Sequence, residues 1–254
     1  MAESTHDLEL GATTQDAFFD GRVQVVQPRQ GFRAGTDSIL LATALPADLK
    51  GEALELGCGA GGALLPAAYR LSDCRFIGLE RDRQMVELAR RGVALNGFDT
   101  RVSLQAGDVA KLPELWQNRF DLVFSNPPFF EAGKIQAPAP GKPAAYVESV
   151  TLKHWLQAML FALRPKASLI LIHRASELAR ILALIERQCG EICIQPIHSY
   201  PGQDAKRILV RARKGLRPGA LRLLDPLYLY EARGGERTQW ALNMQRQGAG
   251  LDWG

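Results

Sequence analysis

The sequence contains no long hydrophobic run. Among its 254 residues, no apolar stretch approaches the roughly 18 residues that cross a membrane, and the first residues lack the basic and apolar regions of a secretory signal peptide. No internal repeat is visible. We therefore expect a cytoplasmic globular protein that has no membrane as a partner.

Cysteine and histidine are scarce, four of each, and neither is spaced as a metal ligand. The cysteines form no Cys-x-x-Cys motif, and the histidines lie far apart in the chain. This pattern argues against a metal site and against a disulfide framework. Reduced, mostly buried thiols are expected at Cys58, Cys74, Cys189 and Cys193.

Charge is unevenly distributed. Residues 1–20 hold five acids and no Lys or Arg, whereas residues 205–224 hold seven basic residues and no acid. A basic block of this kind suits a polyanion such as RNA. The alternative is a solvated strand face, because Arg207, Arg211 and Arg213 alternate with apolar residues.

Strand-like and helix-like segments alternate five times along the chain. This alternation predicts a Rossmann-like α/β fold, a mostly parallel twisted sheet with helices on both faces. Residues 191–198 and 206–213 are predicted to form an antiparallel hairpin at the sheet edge. Residues 21–28 are predicted as a strand with a partner near residues 31–33, followed by a helix that Thr36 or Asp37 caps.

A glycine-rich turn follows the first strand of the predicted sheet. The pattern Gly57-x-Gly59-x-x-Gly62 permits a tight turn and a close approach of ligand to backbone at the start of a helix. Glu80 ends the next strand, where an acid binds the ribose hydroxyls of a nucleotide. Sites for NAD, FAD and S-adenosylmethionine all share these features.

Three features favour S-adenosylmethionine among these cofactors. Glu55, inside the first strand, is a poor neighbour for a pyrophosphate but suits the ammonium of a methionine. Asp108, after the third strand, can accept a hydrogen bond from the adenine amine. Third, the end of the fourth strand suits an amine rather than a nicotinamide. The turn residues Gly57, Cys58, Gly59 and Gly61 are expected to contact the cofactor. The same is expected of Arg81 and Val109, beside the two acids, and of Asn126 at the end of the fourth strand.

The fourth strand, residues 120–124, delivers four residues to its own C-terminal end: Asn126, Pro127, Pro128 and Phe129. The Asn126 side-chain oxygen and the Pro127 carbonyl are acceptors, and consecutive prolines fix their directions. Two acceptors that hold the hydrogens of a planar amine localise its lone pair, while the Phe129 ring stacks on the base and favours developing positive charge. An ordinary turn after a buried strand is the alternative.

Taken together, these residues resemble the class I amino-methyltransferases, which methylate adenine or guanine amines or a glutamine side chain. The motifs are Glu55-Leu-Gly-Cys-Gly-Ala-Gly61, Glu80, Asp108 and Asn126-Pro-Pro-Phe129. Further segments are similar to the tRNA1(Val) adenine N6-methyltransferase family: residues 16–22, 27–42, 146–149, 172–174 and 207–215. The resemblance covers about residues 16–240.

The resemblance implies methyl transfer from S-adenosylmethionine to the N6 amine of an adenine in the anticodon loop of a tRNA, with no obligate protein partner. Residues 1–48 are expected to form an extension that caps the cofactor site, in which we expect Arg33, Thr36 and Asp37 to close over the cofactor. Residues 49–254 are expected to form the methyltransferase domain with a basic C-terminal segment.

The sequence departs from the family in three places. Phe129 replaces a common tyrosine, Tyr146 stands where a histidine is frequent, and the segment after Gly215 fits poorly. Other acceptors remain open, namely an adenine or guanine of ribosomal RNA or a protein glutamine. Alternatives of other classes are an NAD-dependent oxidoreductase and a noncatalytic RNA-binding module. Residues 131–146, rich in Pro, Gly and Ala, are either a substrate lid or a plain linker.

Overall fold

The computed structural model describes residues 12–31, 33–128 and 151–254. The strands in these ranges are β1 Thr13–Phe18, β2 Val23–Pro28, β3 Gly51–Leu56, β4 Cys74–Glu80, β5 Val102–Ala106, β6 Phe120–Ser125, β7 Leu163–Arg174, β8 Cys189–His198, β9 Arg207–Lys214, β10 Arg222–Leu223 and β11 Leu227–Tyr228. The α-helices are α1 Thr36–Ala44, α2 Leu64–Arg70, α3 Arg83–Leu95, α4 Leu152–Ala162, α5 Leu178–Ile185 and α6 Gln239–Gln247.

The central sheet has the strand order β10-β8-β9-β7-β6-β3-β4-β5, and β11 also pairs with β8. Strands β3 to β7 are mutually parallel, and β9 runs antiparallel between β7 and β8. The Rossmann-like fold and the antiparallel hairpin are therefore confirmed, although β10 and β11 cover the outer edge of β8. The strand order reverses at β3, and the C-terminal ends of strands at such a reversal form a ligand crevice.

Apolar side chains on both faces explain why the strands at the centre of the sheet are buried. Along β6, Leu122 and Phe124 point into one core with α1, α2 and α6, while Val123 points into the other with α4 and α5. All three side chains are fully buried. A strand that buries both faces has a nearly continuous apolar sequence, and residues 120–124 are apolar except for Asp121.

The N-terminal hairpin differs from the sequence prediction. Strand β2 pairs with β1, upstream of it, rather than with residues near 31–33. The chain reverses through Phe19, Asp20 and Gly21, all at positive φ, and Phe19 is drawn into the core. The sequence signal for β1 is weak because its side chains are exposed or half-buried and mostly polar.

Helix α1 begins after Gly35, with no side-chain cap, so the prediction that Thr36 or Asp37 caps it is wrong. Its C-terminal end is anchored by Arg70, whose guanidinium donates to the carbonyls of Ala42 (2.6 Å) and Leu45 (3.2 Å). Burial lowers the pKa of Arg70 to about 10. The C-terminal residues also pack here, since the Trp253 indole donates to the Ala44 carbonyl at 2.8 Å.

Candidate active site

A cleft of about 730 Å³ opens at the C-terminal ends of β3, β4, β5 and β6. In the described part of the chain, most of the predicted site residues line it. They are Glu55, Gly57, Cys58, Gly59, Glu80, Arg81, Asp108, Val109, Asn126, Pro127 and Pro128. Phe129 and residues 131–146 lie outside the described residues. The sheet thus brings residues that are more than 70 positions apart in the sequence together in one cleft.

The glycine turn is bonded to the end of β4. The backbone N–H groups of Gly57 and Cys58 both donate to the Leu79 carbonyl, at 2.8 and 3.0 Å. Gly57 adopts φ +71°, and a Cβ there would meet the ring of Trp155. Only glycine therefore satisfies both the turn and the packing. Gly61 lies behind the turn, against Leu65, and does not line the cleft.

Glu80 connects the turn to the start of α3. Its Oε2 accepts from the Gly59 N–H and its Oε1 from the Asp82 N–H, both at 2.9 Å. Since a carboxylate offers about four acceptor positions, two remain for a ligand's hydroxyl groups. The side chain is half-buried and faces the cleft. This arrangement fits the predicted ribose contact.

Glu55 is a buried acid with an unpaired oxygen. The residue is 2% exposed, and its Oε2 finds no hydrogen-bond partner among the residues of the described ranges. Burial, together with repulsion from Glu80, raises the pKa of Glu55 well above its usual range, although a backbone hydrogen bond from Leu64 opposes this. A cationic ligand group in the cleft would supply the missing partner.

The Asn126 side chain is the second unpaired group. Its Oδ1 is buried and accepts no hydrogen bond from any residue the structure describes. The preceding Ser125 is fixed, because its Oγ donates to the Leu56 carbonyl and accepts from the Trp155 indole, both at 2.7 Å. The acceptor is therefore held on a rigid strand end and left open to a donor.

Asp108 lies on the β5 side of the cleft. Its Oδ1 accepts from the Ala110 N–H at 2.9 Å, so the side chain caps a short 3-10 turn. Val109, which follows it, is buried and lines the cleft. The second carboxylate oxygen leaves acceptor capacity for an adenine amine. The roles of Glu80 and Asp108 toward a cofactor stay predictions.

The N-terminal extension contributes other residues than those predicted. Arg33 is ion-paired with Asp16, and Asp37 binds Arg207 at 2.8 Å. Neither Arg33, Thr36 nor Asp37 is among the residues that line the cleft. The extension instead lines it with residues that sequence reasoning missed, Gln27, Pro28, Gln30, Gly31, Ala34 and Ser38.

Gln27 explains why the extension lies there. Its buried Nε2 donates to Asp16 Oδ2 at 2.5 Å, and its Oε1 accepts from the Ala34 N–H at 2.6 Å. Ala34 is thereby pressed against Gly62 in the glycine turn. Gln27 lies in the family-like segment 27–42, but nothing in the sequence singled out Gln27 or Trp155, since both become site residues only through long-range packing.

Much of the basic block is used within the fold. Lys214 Nζ donates to the carbonyls of Leu160 (2.5 Å) and Leu163 (2.7 Å) at the end of α4. Arg213 pairs with Glu191 at 2.9 Å, and the Arg211 guanidinium lies 5.0 Å from the Trp253 ring centre. Structural roles therefore account for these three cations, as they do for Arg207.

Comparisons with known proteins decide the family. A family model described as a methyltransferase domain matches residues 48–213. The tRNA1(Val) (adenine(37)-N6)-methyltransferase of Porphyromonas gingivalis is 30% identical over 203 residues, which cover 76% of this chain and 79% of the relative. The chain belongs to the tRNA1(Val) adenine N6-methyltransferase family. The resemblance seen in the sequence is thereby confirmed.

Solved structures share the fold of this family member. A structure described as a predicted O-methyltransferase from Agrobacterium tumefaciens has a TM-score of 0.70 and 27% identity, covering 85% of this chain and 98% of that one. The Thermus thermophilus 16S rRNA N2 G1207 methyltransferase, solved with AdoMet and guanosine, has a TM-score of 0.56 and 20% identity, covering 82% and 51%. Among the described helices, none has the length and apolar character needed to span a membrane.

Proposed function

We propose that the protein transfers a methyl group from S-adenosylmethionine to the exocyclic N6 amine of an adenine in the anticodon loop of a tRNA. Family membership supports this reaction. The main structural support for this reaction is the unpaired, buried Asn126 Oδ1 at the end of β6, in the same cleft as the glycine turn. An acceptor left unpaired in a buried site costs free energy unless a ligand donor satisfies it.

Residues of the cleft suit both the methionine end and the adenosine end of S-adenosylmethionine. Glu55, with its unpaired Oε2, suits the ammonium of the methionine end, and Glu80 suits the ribose hydroxyls. Asp108 and Val109 would hold the adenine. Bound there, the cofactor supplies an electrophilic methyl group.

The residues at the end of β6 would then orient the target amine. An exocyclic amine is a poor nucleophile because its lone pair is delocalised into the ring. Asn126 Oδ1 and the Pro127 carbonyl accept hydrogen bonds from the two N–H groups of this amine. These hydrogen bonds localise the lone pair on nitrogen and stabilise the positive charge that develops there. The excess proton leaves the methylated nitrogen for solvent. No nucleophilic side chain takes part.

The two acceptors favour an amine over a hydroxyl as the target. An amine presents two hydrogens to two acceptors, whereas a hydroxyl presents one and needs a base to remove it. The target adenine has to leave its stack to reach the cleft. In a single-stranded loop, this unstacking costs little free energy.

The N-terminal extension is proposed to cap the cofactor site. Gln27, Ala34 and Ser38 line the same cleft as Glu80 and Asp108. Their positions depend on the hairpin, because Gln27 bonds both Asp16 and the Ala34 backbone. The extension thus acts through Gln27, Ala34 and Ser38 rather than through Arg33, Thr36 or Asp37.

Labelled S-adenosylmethionine tests the proposal. The protein is incubated with separate pools of unmodified tRNA, ribosomal RNA and protein, and the labelled pool is digested to nucleosides or amino acids. We expect label in tRNA, recovered as N6-methyladenosine. Label in ribosomal RNA or in glutamine would contradict the substrate, and tight binding of NADH in place of S-adenosylmethionine would contradict the cofactor.

A further inference from the structure

The C-terminal ends of β7, β8 and β11 lie side by side at the end of the sheet where the cleft opens, and we call this line of strand ends the edge. The register aligns Arg174 of β7 with Arg207 of β9, Arg207 with Ile197 of β8, and the next residue, His198, with Tyr228 of β11. Arg174 lines the cleft. Adjacent strands lie about 4.8 Å apart, so Tyr228 stands about 14 Å from Arg174 along this edge. The edge is therefore continuous with the active site.

Four aromatic rings lie in the two adjacent segments that continue this edge. We name them the aromatic edge: His198, Tyr200, Tyr228 and Tyr230. Each is half-buried and keeps part of its surface in solvent. His198 and Tyr228 already contact each other, with ring centres 5.3 Å apart. Leu227 and Leu229 pack against the core that contains α1 and α6, so strand alternation places Tyr228 and Tyr230 on the opposite face.

Backbone bonds hold the aromatic edge in place. The Leu229 N–H donates to the His198 carbonyl at 3.0 Å, and the Tyr230 N–H donates to the Ser199 carbonyl at 2.9 Å. The Thr238 hydroxyl, which caps α6, donates to the Tyr228 carbonyl at 2.7 Å. The rings are therefore carried by a rigid segment, and little conformational entropy is lost when a ligand stacks on them.

The turn that follows the aromatic edge has no net formal charge, because it contains Arg233 and Arg237 as well as Glu231 and Glu236. The Arg237 guanidinium lies 5.1 Å from the Tyr230 ring centre and so covers part of that ring. A turn without net charge attracts phosphates weakly, and stacking on the rings is the main interaction that it leaves for a ligand. Rings that bind nucleic acid in this way stack on unpaired bases without reading their identity.

We infer that the aromatic edge is a docking surface for unpaired bases of the RNA substrate, lying a few nucleotides from the base that enters the cleft. This inference rests on the proposed function, since it assumes an RNA substrate. It gives a role to the segment after Gly215, which the family pattern does not explain. Continuity with the cleft through Arg174, which lines it, favours RNA as the occupant over a second protein.

The test compares ring removal with hydroxyl removal. Tyr228→Leu and Tyr230→Leu keep apolar volume but remove the ring, while Tyr228→Phe and Tyr230→Phe are the matched controls that keep it. Binding of a labelled, unmodified tRNA1(Val) transcript is measured by anisotropy at about 50 and about 200 mM salt. Thermal unfolding and S-adenosylmethionine affinity show whether each full-length variant is folded.

We expect each Leu variant to weaken RNA binding about five- to 150-fold, the loss typical of one stacking contact. The Phe variants should bind like the unchanged protein. The ratio of dissociation constants should be the same at both salt concentrations, because the lost contact is not ionic. Cofactor affinity should not change.

Three results would overturn the inference: folded Leu variants that bind the transcript as tightly as the unchanged protein, Phe variants that lose as much as Leu variants, or a loss confined to low salt. A different result concerns the proposed function. If the unchanged protein neither binds nor methylates tRNA, the RNA substrate itself is wrong.

Discussion

The methyl group of Ala34 closes over the α-carbon of Gly62, so position 62 has room for hydrogen but not for a side chain. This contact joins the N-terminal extension to the glycine turn of the cleft. Gly62 is not in the positive-φ region, unlike Gly57, Gly59 and Gly61. Its requirement for glycine is therefore one of packing alone.

Gly62→Ala should displace the extension. Inserting a methyl group into a packed contact costs about 1–3 kcal/mol, and the displaced Ala34 should also weaken S-adenosylmethionine binding. Chemical denaturation and calorimetric titration measure the two effects. Adding Ala34→Gly should restore much of both, since it removes the facing methyl group. Gly62→Ala with unchanged stability and unchanged affinity would show that the extension does not press on the turn.

Glu55 should make the stability of the cofactor-free protein depend on pH. Its folded-state pKa is raised by burial and by Glu80, so between the ordinary carboxyl value of about 4.3 and the raised value the folded state binds more protons than the unfolded state. The free energy of unfolding therefore falls as pH rises through this window. Glu55→Gln should remove that slope, and denaturant titrations across pH measure it.

The difference in unfolding free energy between the unchanged protein and Glu55→Gln isolates the contribution of Glu55 from that of other titrating groups. Burial lowers the pKa of His173, and that shift has the opposite sign because stability is lost as pH falls. Subtracting the two curves of unfolding free energy against pH removes the contribution of His173, which both proteins share. A cationic ligand favours the charged carboxylate, so S-adenosylmethionine binding should release protons within the window, and Glu55→Gln should release none. Identical curves for the two proteins would refute the assignment.

Asp37 was predicted to bind the cofactor, whereas the structure pairs it with Arg207 of β9. Both side chains are partly exposed, at 27% and 30%, so the pair is worth only about 0.2–1 kcal/mol. Asp37→Asn should lower stability by this small amount. In a double-mutant cycle with Arg207→Gln, the stability effects should be non-additive. S-adenosylmethionine affinity should change by no more than a few-fold in either variant. A large loss of affinity in Asp37→Asn alone would restore the cofactor role.

Local chemistry made most of the fold and the cleft predictable. Gly57 and Gly59 follow a strand and precede a helix, Glu80 ends the next strand, and residues 120–124 are apolar except for Asp121. Each signal lies within a few residues of the element it predicts. Parallel strands then bring their C-terminal ends together without further information.

Contacts between residues far apart in the chain left no signal in the sequence. Asp37 and Arg207 are 170 residues apart, and the sequence does not show that each satisfies the other. Strand β1 is polar and half-exposed, so its pairing with β2 leaves no hydrophobic pattern. Lys214 looked like part of a polyanion site, yet it binds carbonyls at the end of α4.

In the proposed reaction, Asn126 holds the target amine during methyl transfer. Under single-turnover conditions with saturating S-adenosylmethionine and tRNA, Asn126→Ala should slow methyl transfer by about 10²- to 10³-fold, the loss typical of one transition-state hydrogen bond. Cofactor affinity should be unchanged, and Asn126→Asp, which keeps an acceptor oxygen, should retain part of the rate. If folded Asn126→Ala binds the cofactor normally and still transfers methyl groups within a few-fold of the unchanged rate, Asn126 does not hold the target amine.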